Sequence, residues 1–175
     1  IHQRDFTMTT PGPTLIKRCK QCSGLMKQRT IASGNTFGAS YWTDGKVEAP
    51  MLPITPNLVM CPHCRSVQWI NDLEEVGEIP SSRGFGVPRP VYDKSFDVQP
   101  ELVSPTHTEC LKFLKSEDLN SDQEIYLRWT YWHLMNDERR QESNAIPLRS
   151  DEVENLKRLL FLLEPVNESM RLTIA

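Results

Sequence analysis

The chain has no long apolar run. The longest, at residues 159–163, spans five residues, against the roughly 20 that a membrane-crossing helix needs. No membrane association is expected. No N-terminal signal segment or other targeting segment is apparent. No Gly-x-x-x-x-Gly-Lys loop is present. The nearest stretch, Arg83-Gly84-Phe85-Gly86, lacks that spacing and a preceding strand, so nucleotide binding by a phosphate loop is set aside. The four histidines form no Ser/His/Asp set, and no carboxylates pair at a recognisable spacing. His133 reads as a helical histidine with a local partner. A full tetratricopeptide-type repeat is missing as well. Nothing here names a reaction, and no catalytic or cofactor-binding residue is assigned.

Cysteine is what the chain does have in pattern. Cys19-Lys20-Gln21-Cys22 lies near the start, and Cys61-Pro62-His63-Cys64 follows after 38 residues. Two Cys-x-x-Cys turns supply four thiolates, which suits tetrahedral Zn²⁺ with Zn–S of about 2.3 Å. Four protein ligands leave no open position for water, so the expected role is structural. Lys17, Arg18, Lys20 and Arg65 flank the turns and offer positive charge against a centre of net charge about −2. Two other readings are weighed. Cys61-Pro62-His63-Cys64 alone has the form of a redox motif, but no βαβ pattern surrounds it. Two structural disulfides would need an oxidising compartment and would strand Cys110, which reads as a small buried hydrophobe. His63 could compete as a ligand, but four thiolates suffice.

Length and composition fit a folded protein of one or two domains: 175 residues, 38% hydrophobic and 25% charged. The net charge of −3 conceals an asymmetry. Residues 1–70 carry eight Lys/Arg against three Asp/Glu, a net +5, whereas residues 71–175 carry twelve against twenty, a net −8. Opposite signs suit either internal docking or different partners.

Read in order, residues 1–14 form a flexible leader containing Pro11-Gly12-Pro13. A zinc-ribbon-like domain occupies 15–76. It has strands over 25–31 and 36–42, with Gly38 marking a bulge or close approach, and an Asp44-Gly45 hairpin turn. A Pro-rich stretch over 50–56 and strands at 58–60 and 66–70 complete it. Phe37, Tyr41 and Trp42 could stack on bases, though at least one is expected in the core. Residues 77–103 read as a Pro/Gly-rich linker or draped loop. A helical domain follows over 104–175. Thr106 and Glu109 match a capping box, as do Ser121 and Glu124. Ile125, Trp129 and Trp132 form one apolar stripe, with Leu127, Tyr131 and Leu134 beside it. The run 136–140 looks like a solvated helix end. Ser150 can cap a third helix whose face is Val153, Leu156, Leu160 and Leu163. Glu74-Glu75 and Glu152 to Glu154 read as solvated acids. Residues 167–175 resemble the start of a fourth helix, which suggests that the natural chain continues.

The stretch from Cys19 through Ser33-Gly34-Asn35-Thr36-Phe37-Gly38-Ala39, Tyr41-Trp42-Thr43-Asp44-Gly45, Pro50-Met51-Leu52-Pro53 and Cys61-Pro62-His63-Cys64 resembles a family of uncharacterised bacterial proteins. The helix around Leu127-Arg128-Trp129-Thr130-Tyr131-Trp132 and Asn136-Asp137 resembles it too. That family joins an N-terminal zinc-ribbon-like module to C-terminal helices, sometimes leading into tetratricopeptide-like repeats. The resemblance implies a cytoplasmic bacterial protein binding zinc through Cys19, Cys22, Cys61 and Cys64. The expected fold class is α+β, a small β-rich ribbon followed by three or four helices. The expected function is a non-enzymatic interaction or scaffold protein with protein partners. A nucleic-acid-binding ribbon is the alternative, and a thiol–disulfide redox protein using Cys61 and Cys64 is the second alternative.

Overall fold

The computed structural model describes residues 9–81, 90–116, 118–141 and 146–163. The Arg83–Gly86 loop and the expected fourth helix lie outside them. The fold is α+β, with small antiparallel sheets followed by three helices among the described residues. The chain divides into two units, Ile1–Ser40 with Val47–Ser104, and Tyr41–Lys46 with Pro105–Ala175.

The first unit is built on a three-stranded sheet of order β2-β1-β7, formed by β1 (Thr10–Arg18), β2 (Leu25–Ser33) and β7 (Glu74–Ile79). Strand β1 starts at Thr10, inside the stretch read as leader, although it contains Pro11 and Pro13. The register explains how. Strand β7 pairs only with Thr14 to Arg18, so both prolines lie beyond its end. There a missing N–H breaks no ladder bond on that side. The β1–β2 register also shifts between Pro11 and Thr14.

Of the second expected strand only β3 (Ser40–Tyr41) forms, laddered with β4 (Val47–Glu48). Gly38 has φ of +74° with open space around its Cβ position, so it turns the chain and accommodates no close neighbour. Gly45 has φ of +78°, as the Asp-Gly turn requires. Strands β5 (Leu58–Met60) and β6 (Val67–Trp69) form an antiparallel pair flanking the second cysteine turn.

Two segments of the stretch expected as a linker or draped loop pack on this unit. Phe96 sits over Gly77, where a Cβ would come within 2.7 Å of its ring. Residues 100–103 bond to β2 and to β5. The core joins Cys19, Met26, Val59, Cys61, Ile70 and Leu73, with Leu102 packed against them. Phe37, Tyr41 and Trp42 are all exposed. The expectation that one of them fills the core is corrected: aliphatic residues and the cysteines fill it instead.

The second unit holds α1 (His107–Ser116), α2 (Ser121–Arg140) and α3 (Ser150–Leu163). Thr106 and Glu109 cap α1 reciprocally, as the spacing predicts. For α2 the capping box shifts back one residue: Asn120 accepts from the Gln123 N–H, and the Gln123 side chain accepts from the Asn120 N–H. Asn is as good an N-cap as Ser, and Gln serves at the third position as Glu does. In α3 the Arg149 carbonyl takes the first helical bond and Glu152 accepts the Arg149 N–H, so Ser150 is inside the helix and is not its cap.

The buried faces differ from the expected ones by a small rotation. Helix α2 buries Leu127, Tyr131, Trp132 and Met135. Trp129 is half-buried. Its indole nitrogen lies 2.8 Å from His133 Nε2, which also lies 3.0 Å from the Asp44 carbonyl, and burial lowers that ring's pKa. Helix α3 buries Glu152, Asn155, Leu159 and Leu163, leaving Val153, Leu156 and Leu160 half-buried. Glu152, expected as a solvated acid, is 2% exposed and ion-paired with Arg139 at 2.6 Å. Asn155 exchanges two hydrogen bonds with Arg128, and the Tyr131 hydroxyl donates to Asp151. Polar pairs thus occupy positions that a hydrophobicity pattern assigns to leucine.

The run 136–140 is also not a solvated end. Asn136 donates to buried Asp44 at 2.7 Å, Arg140 bridges Asp44 and Asp137, and Lys46 pairs with Asp137 at 2.7 Å. Arg140 also lies over the Trp42 ring, 4.4 Å from its centroid. Cys110 is fully buried, and burial pushes its thiol up to about 12, in line with a hydrophobic role.

Glu124 links α2 to α3. Arg158 donates two bonds of 2.9 Å to it and Arg128 a third of 2.8 Å; against the cost of burial they hold its carboxyl at about 2, below an ordinary 4.5. A depressed carboxylate stabilises the fold fully above its unfolded pKa and loses that contribution as pH falls through the folded value. Acid unfolding should therefore steepen between about pH 5 and about pH 2. In Glu124→Gln that part of the pH dependence should vanish, as read by thermal melts across the range.

Candidate metal centre

Each cysteine turn is made the same way. The Cys19 N–H donates to the Gly24 carbonyl and the Ser23 N–H to the Cys19 carbonyl, both at 3.0 Å. In the second turn the Cys61 N–H donates to the Ser66 carbonyl and the Arg65 N–H to the Cys61 carbonyl, both at 2.9 Å. The residue after each second cysteine, Ser23 and Arg65, has φ of +60°. Two copies of one tight turn thus aim four sulfurs at a common centre.

The sulfurs of Cys19, Cys22, Cys61 and Cys64 all lie within 4.8 Å of one another, a group positioned to hold a metal ion. Cys19 and Cys64 are 3.7 Å apart, and Cys22 and Cys61 are 3.8 Å apart. A disulfide would need about 2.05 Å. A tetrahedron with bonds of about 2.3 Å has an edge of about 3.8 Å, which is the separation seen across the two turns. Cys19 and Cys61 are each 1% exposed, whereas Cys22 and Cys64 face solvent.

Hydrogen bonds polarise this group unevenly. Burial pushes the Cys19 thiol up. Gln68, whose Nε2 donates at 3.0 Å, outweighs burial together with Ser66 and backbone N–H groups, and brings the thiol to about 5. Ser66 lowers Cys64, with its hydroxyl at 3.1 Å. Burial and the neighbouring sulfurs Cys19 and Cys22 drive Cys61 up to about 12. Cys22 is raised too: the Gly24 N–H lowers it, but burial and the Cys64 and Cys19 sulfurs prevail. Four adjacent thiolates repel, so without a cation part of the set retains protons. A divalent ion removes that conflict.

Three of the four cations expected to offset the centre are engaged elsewhere. Lys17 pairs with Glu75, Arg18 with Glu74 and Lys20 with Asp72, at 3.1, 2.8 and 3.3 Å. The local donors are instead Gln68, Ser66 and backbone N–H groups. Gln68 is locked in place because its Oε1 accepts the Lys20 N–H at 2.9 Å and its Nε2 also reaches Ser66. Sequence reasoning missed Ser66 and Gln68. The available signal was their position, two and four residues after Cys64 on a strand leaving the turn. His63 is not turned to the sulfurs. Its Nε2 meets the Leu25 carbonyl at 2.8 Å, and its ring packs on Gly24, where a Cβ would come within 2.5 Å. One turn thereby braces the other.

Comparison with protein-family models, with curated proteins and with solved structures finds no match. The four-cysteine group and the helical C-terminal region, both implied by the resemblance to the bacterial family, are present in this chain.

Left-handed backbone costs an L-residue roughly 1–2 kcal/mol and is worst for β-branched side chains. Ser23→Val should therefore destabilise the first unit by about 1–2 kcal/mol, while Ser23→Gly should cost nothing measurable. Denaturant titration of the metal-loaded protein followed through Trp69 checks both.

Proposed function

We propose that Cys19, Cys22, Cys61 and Cys64 bind one structural Zn²⁺ and that the protein is a non-enzymatic interaction or scaffold protein. The observation that carries the metal reading is the pair of sulfur separations, 3.7 and 3.8 Å, which match a tetrahedral thiolate edge. A full set of four protein ligands leaves no coordination position for a substrate. A thiol–disulfide role finds less support. The close sulfur pairs run between turns rather than within Cys61-Pro62-His63-Cys64, and that turn joins two strands instead of opening a helix. Redox motifs of this form are activated at a helix N-terminus.

Purified protein should contain about one zinc per chain, and chelation should unfold residues 10–79 cooperatively. Cys110→Ser should leave the zinc content unchanged, whereas Cys64→Ser should lower it. Elemental analysis with circular dichroism before and after chelation reads all three. A metal-free protein that keeps its sheet would overturn the reading.

Nucleic-acid binding remains the second reading because Phe37 is 74% exposed in the unit that carries the basic residues. The charge pairing weighs against it. Lys17, Arg18, Lys20 and Arg29 are paired with Glu75, Glu74, Asp72 and Glu101 of the same unit, and Lys27 bonds to the Asp97 carbonyl. Each such pair must open before a phosphate is bound. DNA or RNA binding should be weaker than micromolar at about 150 mM salt, as measured by salt-titrated fluorescence anisotropy.

A further inference from the structure

Strand β2 is an edge of its sheet, and only part of that edge is covered. The Lys27 N–H donates to the Pro100 carbonyl at 2.8 Å, and the Leu102 N–H donates to the Lys27 carbonyl at 2.9 Å, a parallel bridge with Glu101 at its centre. The covering chain then leaves. Val103 exchanges two bonds with Met60 of β5, at 2.7 and 3.2 Å. Outward-facing backbone groups recur at every second residue of an edge strand. Because Lys27 faces outward, Arg29 and Ile31 carry the next such groups. Among the described residues no backbone group bonds them on that side.

A cavity of about 660 Å³ lies along this uncovered edge, lined by residues 27–31, 53–56 and 102–104. Its inclusion of five consecutive residues of β2 shows that it wraps the edge and takes in side chains from both faces. Apolar walls come from Ile31, Ile54, Val59, Ile70 and Leu102. Exposed edges invite strand addition, and natural sheets usually blunt them with charge, proline or a covering segment. Here the cover ends at Leu102 where the cavity continues.

We infer that the β2 edge at Arg29–Ile31 is a docking site for an extended peptide segment of a partner protein, added as a strand beyond residues 100–102. Main-chain bonds to Arg29 and Ile31 supply affinity, and alternate side chains supply selectivity. The preferred segment carries aliphatic side chains for the Ile31, Ile54 and Leu102 walls. This inference deepens the reading of the protein as an interaction module and rests on it; zinc content measured on the same sample separates a failure of the metal reading from a failure here.

The test uses the full zinc-loaded chain. In hydrogen exchange without peptide, the Arg29 and Ile31 amides should exchange quickly compared with Met26 and Gln28, which face β1. Slow exchange at Arg29 and Ile31 would mean that the edge is already covered by the protein's own chain and would overturn the proposal. The probe is a phage-displayed pool of random seven-residue peptides. Selected peptides should carry aliphatic residues at alternate positions and should protect both amides. Ile31→Pro removes one outward N–H without touching the β1 ladder, and should weaken binding by about tenfold or more. Should that variant lose its zinc or its sheet signal, N-methylation of alternate peptide residues reads the same bonds from the other side, with the same expected loss. Failure to enrich any peptide, or equal binding by the N-methylated form, overturns the inference. Self-association abolished by Ile31→Pro would assign the edge to a second copy of this chain and overturn it as well.

Discussion

Four sulfurs held within 4.8 Å of one another are the constraint around which the first unit is arranged. Two of them belong to the hydrophobic core itself. The small sheet and its short flanking strands are thus cross-linked through their own core. The cysteine turns sit where β1 leads toward β2 and where β5 leads to β6. The cluster therefore joins two separate ladders, which the shared core and residues 100–103 also tie together. Gln68 and Ser66 complete it from β6 and the turn before it, holding partial positive charge against the sulfurs without adding a net charge.

Charge within this unit is arranged in two tiers. Neutral N–H and O–H donors face the sulfurs, while the formal cations turn outward to the acids of β7 and to Glu101. Lys or Arg beside a thiolate would compete with a metal for its electrons. Amide donors modulate the sulfur charge more gently. The net +5 of residues 1–70 is thus balanced locally by residues just past that boundary. A charge tally over arbitrary halves cannot show such pairing, because it ignores which strands are neighbours.

Legibility in the sequence followed the range of the interaction. The four cysteines, the strand read over 25–31, the Asp44-Gly45 turn and the α1 cap were readable because each rests on residues a few positions apart. Helix positions were readable, but their buried faces were not. Glu152 and Asn155 are polar by type and buried by partnership with Arg139 and Arg128, residues of another helix. The same holds for β1, whose prolines argue against a strand until the register shows that β7 stops short of them. Asp44 was legible as a turn residue and invisible as a buried acid, since Asn136 and Arg140 lie some 90 positions away.

That last feature makes the helical unit discontinuous in sequence. Tyr41–Lys46 belongs to it, although the surrounding chain belongs to the sheet unit. During synthesis this tip emerges long before α2 exists, and its acid waits for partners. Closing so long a loop is entropically slow relative to forming the helix hairpins. The C-terminal half of α2 should therefore be among the last parts of that unit to lock. A fragment cut at residue 104 would carry all three helices and still be unfinished, with Asn136, Arg140 and Asp137 facing water where a loop from the other end of the chain belongs.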